Sequence, residues 1–181
     1  MKILYVDSGS NAERISSANM RLLTTLDGVC DFEFENASVE VKFTNNYPIV
    51  KISSSYQLEM YEGKKNFLLV FSKDEKMGEK ISLVQLIKRI LDNIENQDEK
   101  NYFKKKIIDY GYDEDNEKHK KLGVKEFDIY LKNIFLIDHE FPKLIKSEIS
   151  SAIDNVKYDL NLDGISYFTE KINYVLKEIG K

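Results

Sequence analysis

The sequence predicts an α/β fold in which a helix, a β-hairpin, a third strand, a short helix and a fourth strand follow one another, αβββαβ in order. Three observations lead there. Residues 31–42 read Asp-Phe-Glu-Phe-Glu-Asn-Ala-Ser-Val-Glu-Val-Lys, and such alternation marks half-buried strands. Two apolar runs, 49–52 and 67–71, bracket a stretch that opens on three serines. Farther on, Leu83, Val84, Ile87, Ile90, Leu91 and Ile94 recur at helical spacing, the stripe of an amphipathic helix.

Each element has a local reason. Ile3–Val6 reads as a strand, Ser8-Gly9-Ser10-Asn11 as a turn and helix cap, and Asn11–Leu26 as a helix stopped by Asp27-Gly28. With Asn36-Ala37 as a two-residue turn, Glu35 faces Ser38, Glu33 faces Glu40 and Asp31 faces Lys42. Side chains alternate along a strand, so Asp31, Glu33, Glu40 and Lys42 share one face and Phe32, Phe34, Val39 and Val41 the other. Opposed residues lie about 5 Å apart and like charges there destabilise the pair, so the charged face invites a cation. Residues 49–52 form the third strand. Residues 53–61 form a short helix with a serine N-cap, which puts Gln57 and Tyr61 on one face, and 67–71 form the fourth strand. Ser82 caps the strongest helix, whose stripe packs on a core, and 98–109 form another with Tyr102, Phe103 and Ile107 as its apolar contacts. The densely charged 111–121 reads as an exposed loop. Residues 127–138 read as one long strand or two, 156–162 as a further strand, and 165–179 as a closing helix.

Composition bounds the function. A chain of 181 residues with 42% hydrophobic residues, two prolines and eight glycines fits one domain with a real core. We read 1–75 as its core, 76–123 as a helical segment and 124–181 as a strand-and-helix extension. Lys+Arg 27 against Asp+Glu 31 leaves a net charge of −4, which argues against strong non-specific nucleic-acid binding but leaves room for a local basic patch. The lone Cys30 excludes an internal disulfide framework and fits a reducing cytoplasm; it reads as an inert thiol beside a strand. Neither a secretory leader nor a run of about 18 apolar residues for a membrane span is visible. His119 and His139 lack any metal-ligand spacing. Lys104–Lys106 and Lys118, Lys120 and Lys121 lie among acids and read as a solvated face.

Asp31-(x)8-Glu40-x-Lys42 across a hairpin, followed by Gln57-x-x-x-Tyr61, resembles the motif of the PD-(D/E)XK nuclease superfamily. Ile52-Ser53-Ser54 before Gln57-Leu58, with Phe141–Ser147 and Asn155–Leu160, narrows the resemblance to the bacterial group called PD-(D/E)XK motif proteins, over about residues 30–71 and 127–165. The resemblance implies a restriction-endonuclease-like fold, one mixed sheet flanked by helices, and metal-dependent cleavage of DNA. It assigns Asp31, Glu40 and the Val41 carbonyl to Mg²⁺, with Mn²⁺ as a substitute. Lys42 would orient the attacking water or steady the phosphorane charge, and Gln57 and Tyr61 would position water or phosphate. Glu33, on the same face, reads as a solvent-facing strand residue. The group's company with restriction and phage-defence genes implies defence-system partners, and the fold's habit of cutting two strands implies a homodimer.

The chain departs from the group in two respects. Members are longer at the N-terminus, which leaves a fragment, a shortened paralogue or an inactive relative as the expectation. They also carry a Gly-x-x-Gly-Glu helix before the hairpin, where this chain has Glu13 as the only acid in the body of its helix. An alternative follows: a non-catalytic nuclease-fold subunit that uses its late strands to contact proteins. An ordinary charged face on a sheet with one wet side accounts for the same hairpin residues.

Overall fold

The computed structural model describes residues 30–73, 80–109, 111–127 and 129–180. The expected strand at 3–6 and helix at 11–26 lie outside them. The elements run β1 Phe32–Glu33, β2 Ala37–Thr44, β3 Ile49–Ile52, β4 Lys65–Lys73, β5 Ile81–Ser82, α1 Leu83–Asn93, α2 Gln97–Asp109, α3 Glu117–Gly123, β6 Glu126–Phe127, β7 Ile129–Ile137, β8 Tyr158–Asn161 and α4 Ile172–Ile179. They fall into two compact units, one holding the described part of 80–129 and the other 30–73 with 130–180. Among the described residues no helix is long and apolar enough to cross a membrane.

The larger unit is built on a mixed four-stranded sheet of order β1-β2-β4-β7. β1 pairs with β2 antiparallel, Phe32 opposite Val39 and Glu33 opposite Ser38. The hairpin therefore slips by two residues from the expected register. The expected turn at Asn36-Ala37 moves back one residue to Glu35-Asn36, closed by the Phe34 N–H on the Ala37 carbonyl at 2.8 Å. This buries Phe34 and Ala37 and lets the Asn36 carbonyl accept from Lys65 N at 2.9 Å. A slip of two leaves every side chain on its face but changes what lies opposite: continued, the register sets Asp31 against Glu40, where Lys42 was expected.

β2 pairs with β4 in parallel from Ala37 opposite Lys65 to Thr44 opposite Ser72. β4 thus takes one edge of β2 and β1 only the start of the other, and the expected third strand does not join this sheet. It folds away after a tight turn in which Thr44 Oγ1 donates to the Ile49 carbonyl and accepts from Asn46 N, at 2.6 and 3.0 Å. β3 instead pairs antiparallel with β8, Val50 opposite Leu160. This two-stranded sheet packs with Leu68, Val70, Phe135, Ile137, Phe141 and Phe168 in the main core. On the opposite face of the main sheet, Phe67 meets Tyr174 of α4 edge-on at 5.9 Å. Both faces are covered, so the charged strand face is not a wet one.

The closing helix is broken into a 3-10 segment, Leu162–Phe168, and α4. The break is held by β7: Phe135 bridges Thr169, and Glu170 N donates to the Ile134 carbonyl at 2.8 Å. These bonds take the backbone groups that a continuous helix needs.

In the smaller unit β5 pairs with β6, Ile81 opposite Phe127. α1 starts on a capping box, in which Ser82 accepts from Gln85 N and the Gln85 side chain returns to Ser82 N. Only Ile87 of its apolar stripe is buried. In α2 Ile107 is buried as expected, but Tyr102 is exposed. Ser82→Ala is expected to cost about 1 kcal/mol, measurable as a lower urea midpoint. The charged stretch expected as a loop holds α3 instead. Asn116 caps it by accepting from the amides of Lys118 and His119, while His119 Nδ1 accepts from Asp113 N at 3.0 Å and its ring stacks on Tyr112. High charge density was compatible with a short capped helix whose charges point outward.

Candidate functional site

β1 has only two residues, so the β2 edge beyond Val39 lacks a strand partner on that side. A buried N–H left there costs free energy. Asp31 meets the need: its Oδ2 accepts from Val41 N at 2.8 Å. Within a strand the N–H and C=O of one residue face the same edge. The Val41 carbonyl therefore faces the edge where Asp31 stands.

Glu40 and Lys42 lie two residues apart on one face of β2. Their side chains are 3% and 11% exposed, and Lys42 Nζ lies 2.8 Å from Glu40 Oε1. Leu68 and Val70 of β4 stand beside them, which dries the pair and strengthens its attraction. Glu33 on β1 is joined by a residue the sequence did not single out, Lys64. Its ammonium donates to Glu33 Oε1 and to the Phe34 carbonyl at 2.8 Å. Within this ion pair the Glu33 side chain keeps 29% exposure.

Residues 53–61 do not form the expected helix; they run as successive turns. Side chains have captured the amides. Gln57 Oε1 accepts from Ser53 N at 2.8 Å, and Asn66 Oδ1 accepts from Tyr61 N at 3.0 Å. Local side-chain bonds of this kind compete with helix formation. Gln57 is thus turned back on its own segment. Tyr61 is brought to the acids: its side chain bonds Cys30, a thiol that also feels Glu33, Glu40 and Asp31. Lys64 Nζ stands 5.8 Å from the centroid of the Tyr61 ring.

Asn66, also missed from sequence, is the hub of this arrangement. It is buried, opposite Ser38 in the register. Its Oδ1 accepts from the Ser38 hydroxyl at 2.6 Å as well as from Tyr61 N. Its Nδ2 donates to the carbonyls of Lys64 at 3.0 Å and Tyr61 at 3.4 Å. Every donor and acceptor of the amide is used, and the turn that carries Tyr61 and Lys64, with Gly63 at φ +76°, is fixed to the sheet. The signal was present in the sequence: a polar Asn at the head of an apolar strand is out of keeping with strand composition.

Among the described residues no group of three or more His, Cys, Asp or Glu side chains could hold a metal ion. The oxygen donors near the β1 end are two carboxylates, Asp31 and Glu40, and the Val41 carbonyl. Oxygen donors of this kind are those that hard divalent cations take. Burial raises the Cys30 thiol pKa above its ordinary value, the Tyr61 hydrogen bond opposes this, and the carboxylates of Glu33, Glu40 and Asp31 raise it further. Cys30 also donates to the Phe32 carbonyl at 3.2 Å, and a thiol whose pKa is raised is a poor nucleophile.

Comparison with curated proteins found no match, and comparison with solved structures found none. A family model described as "Putative PD-(D/E)XK family member, (DUF4420)" matches residues 24–163. The match takes in β1 to β8, and the mixed sheet flanked by helices is the restriction-endonuclease-like α/β fold. With the hairpin, its Asp31/Glu40/Lys42 face and most of the chain inside that match, the protein belongs to this PD-(D/E)XK family.

Proposed function

We propose that the protein is a metal-dependent endonuclease that cleaves DNA, working in the cytoplasm of a bacterium as part of a restriction or phage-defence system. The observation that carries this reading is the buried Glu40–Lys42 pair beside Asp31, on the edge where β1 ends. Asp31, Glu40 and the Val41 carbonyl would hold Mg²⁺ or Mn²⁺. Such an ion, when bound, acts as a Lewis acid and lowers the pKa of its water. Lys42 then keeps an ammonium next to Glu40, where it orients the attacking water and offsets charge at the phosphate. Tyr61 lends a hydroxyl at the acids. Gln57 serves at one remove, by holding the 53–57 turn.

Two experiments test this reading. Asp31→Asn keeps an oxygen that can accept from Val41 N, so its stability should stay within about 0.5 kcal/mol of wild type. It removes a metal-binding charge, and Mn²⁺-dependent cleavage of plasmid DNA should fall by about a hundredfold. Wild-type cleavage by a folded Asp31→Asn protein removes Asp31 from the site. The second readout needs no turnover. Burial is the main cause of the raised Cys30 pKa, and Glu40 and Asp31 add to it; a cation settled among those two carboxylates offsets their part, so iodoacetamide should alkylate Cys30 faster at pH 8 with Mg²⁺ than with EDTA. An unchanged rate argues against a metal at these carboxylates.

A second reading is favoured by the Glu40–Lys42 contact itself, since an ammonium already sits on the buried carboxylate. In it, the protein keeps the nuclease fold without cleaving and serves as a protein-interaction subunit. DNA nicking that disappears with Lys42→Met would eliminate it.

A further inference from the structure

A groove of 1020 Å³ opens in the larger unit between segments 59–65 and 139–147. Tyr61 and Lys64 line it, and the same two residues border the acid face, Lys64 through Glu33 and Tyr61 through Cys30. The groove and the candidate site therefore share a wall. Lys65, His139 and Lys143 add basic groups to the lining. The lining also holds three acids: Glu59, which accepts from Lys146 N at 3.2 Å, the buried Glu178, and Glu62.

The cations are built in. The Lys64 turn is anchored by Asn66 at three backbone atoms. Lys143 Nζ donates to the carbonyls of Asp138 and Phe141. Its pKa is pushed down by burial, against the pull of Asp138 and Glu148; an anion in the groove would relieve that. Lys64 holds the half-buried Glu33 carboxylate and the Phe34 carbonyl, and a phosphate entering the groove would take the place of the carboxylate.

We propose that this groove is the track for a nucleic-acid strand, with Lys64 as the positioning residue that exchanges Glu33 for a backbone phosphate where the strand passes to Asp31 and Glu40. Lys65 and Lys143 hold the phosphates farther along. The inference rests on the nuclease reading for its ligand class and adds the path and the residues that set it.

The test measures binding apart from chemistry. Fluorescence anisotropy of a labelled single-stranded DNA oligonucleotide, in EDTA, is followed against salt for wild type, Lys64→Met, Lys64→Met/Lys65→Met/Lys143→Met, and Lys118→Met/Lys120→Met/Lys121→Met on α3. Circular dichroism melts verify folding. The groove triple variant should bind at least about tenfold more weakly, with the slope of log K against log salt smaller by about 2, as three lost contacts to a single strand require. The α3 variant should bind as wild type does, and Lys64→Arg should restore most of what Lys64→Met loses. Wild-type affinity and slope in the folded groove variant overturn the proposal, as does a loss confined to the α3 variant. Absence of binding by wild type also overturns it, and the Cys30 alkylation response then shows separately whether the metal site stands.

Discussion

Lys42→Met is expected to reduce Mn²⁺-dependent cleavage by a factor of about a hundred to a thousand and to destabilise the fold by about 3 kcal/mol. The two losses have different causes and can be separated. Glu40 is 3% exposed and its ion partner is Lys42 at 2.8 Å. Removing the ammonium strands a carboxylate in a dry place, and the penalty is the desolvation of that one charge. Glu40→Gln inverts the situation, leaving Lys42 charged with no carboxylate, and should cost a similar amount. The double variant Glu40→Gln/Lys42→Met holds no buried charge, and replacing both partners of a buried pair is often close to neutral. Its stability should therefore return to within about 1 kcal/mol of wild type, while cleavage stays lost. Urea denaturation and single-turnover cleavage on the four proteins measure both quantities. Strict additivity in stability means that the pair is not coupled. Cleavage retained by the double variant means that neither residue takes part in the chemistry.

Much of this site was legible from the sequence, for reasons that belong to strand geometry. Alternation placed Glu40 and Lys42 on one face of one strand, and no change of register by two can undo that. The apolar runs 49–52 and 67–71 became β3 and β4 because runs of β-branched and aromatic residues suit buried strands. What failed had non-local causes. The partner of β3 is β8, more than a hundred residues on, and nothing in 49–52 signals it. The turns at 53–61 displaced a helix because Asn66, beyond the segment, captured Tyr61 N. The breaks at Thr169 and Glu170 depend on β7. Lys64 and Asn66 were missed for the same reason: a lysine in a turn and an asparagine at a strand head acquire meaning only through Glu33 and Ser38, about thirty residues upstream.

Asn66→Asp should be among the most damaging single changes by number of atoms altered. The substitution keeps the one oxygen that accepts both bonds, so the Ser38 hydroxyl and Tyr61 N remain satisfied. It replaces the amide nitrogen with a second oxygen, which then faces the carbonyls of Lys64 and Tyr61. Two bonds become repulsions at a residue 3% exposed, and each buried acceptor left without a donor costs about 1–3 kcal/mol, so a loss of about 3 kcal/mol is expected. The effect carries a pH signature. The introduced carboxyl, when protonated, can donate to one of the carbonyls, and burial also favours its neutral form. Its pKa in the folded protein therefore lies above that in the unfolded chain, and the folded state holds the extra proton between the two values. Stability must then rise as pH falls through the folded-state value, and the deficit against wild type should shrink from pH 8 to pH 5. Asn66→Ala lacks the titrating group and should show a deficit that is flat over the same range. In both variants the turn loses its anchor, so Tyr61 should leave Cys30, and iodoacetamide reactivity should change with stability corrected for. A pH-independent deficit for Asn66→Asp, or Cys30 reactivity equal to wild type in both proteins, would show that the amide does not hold Tyr61 and Lys64 at the acids.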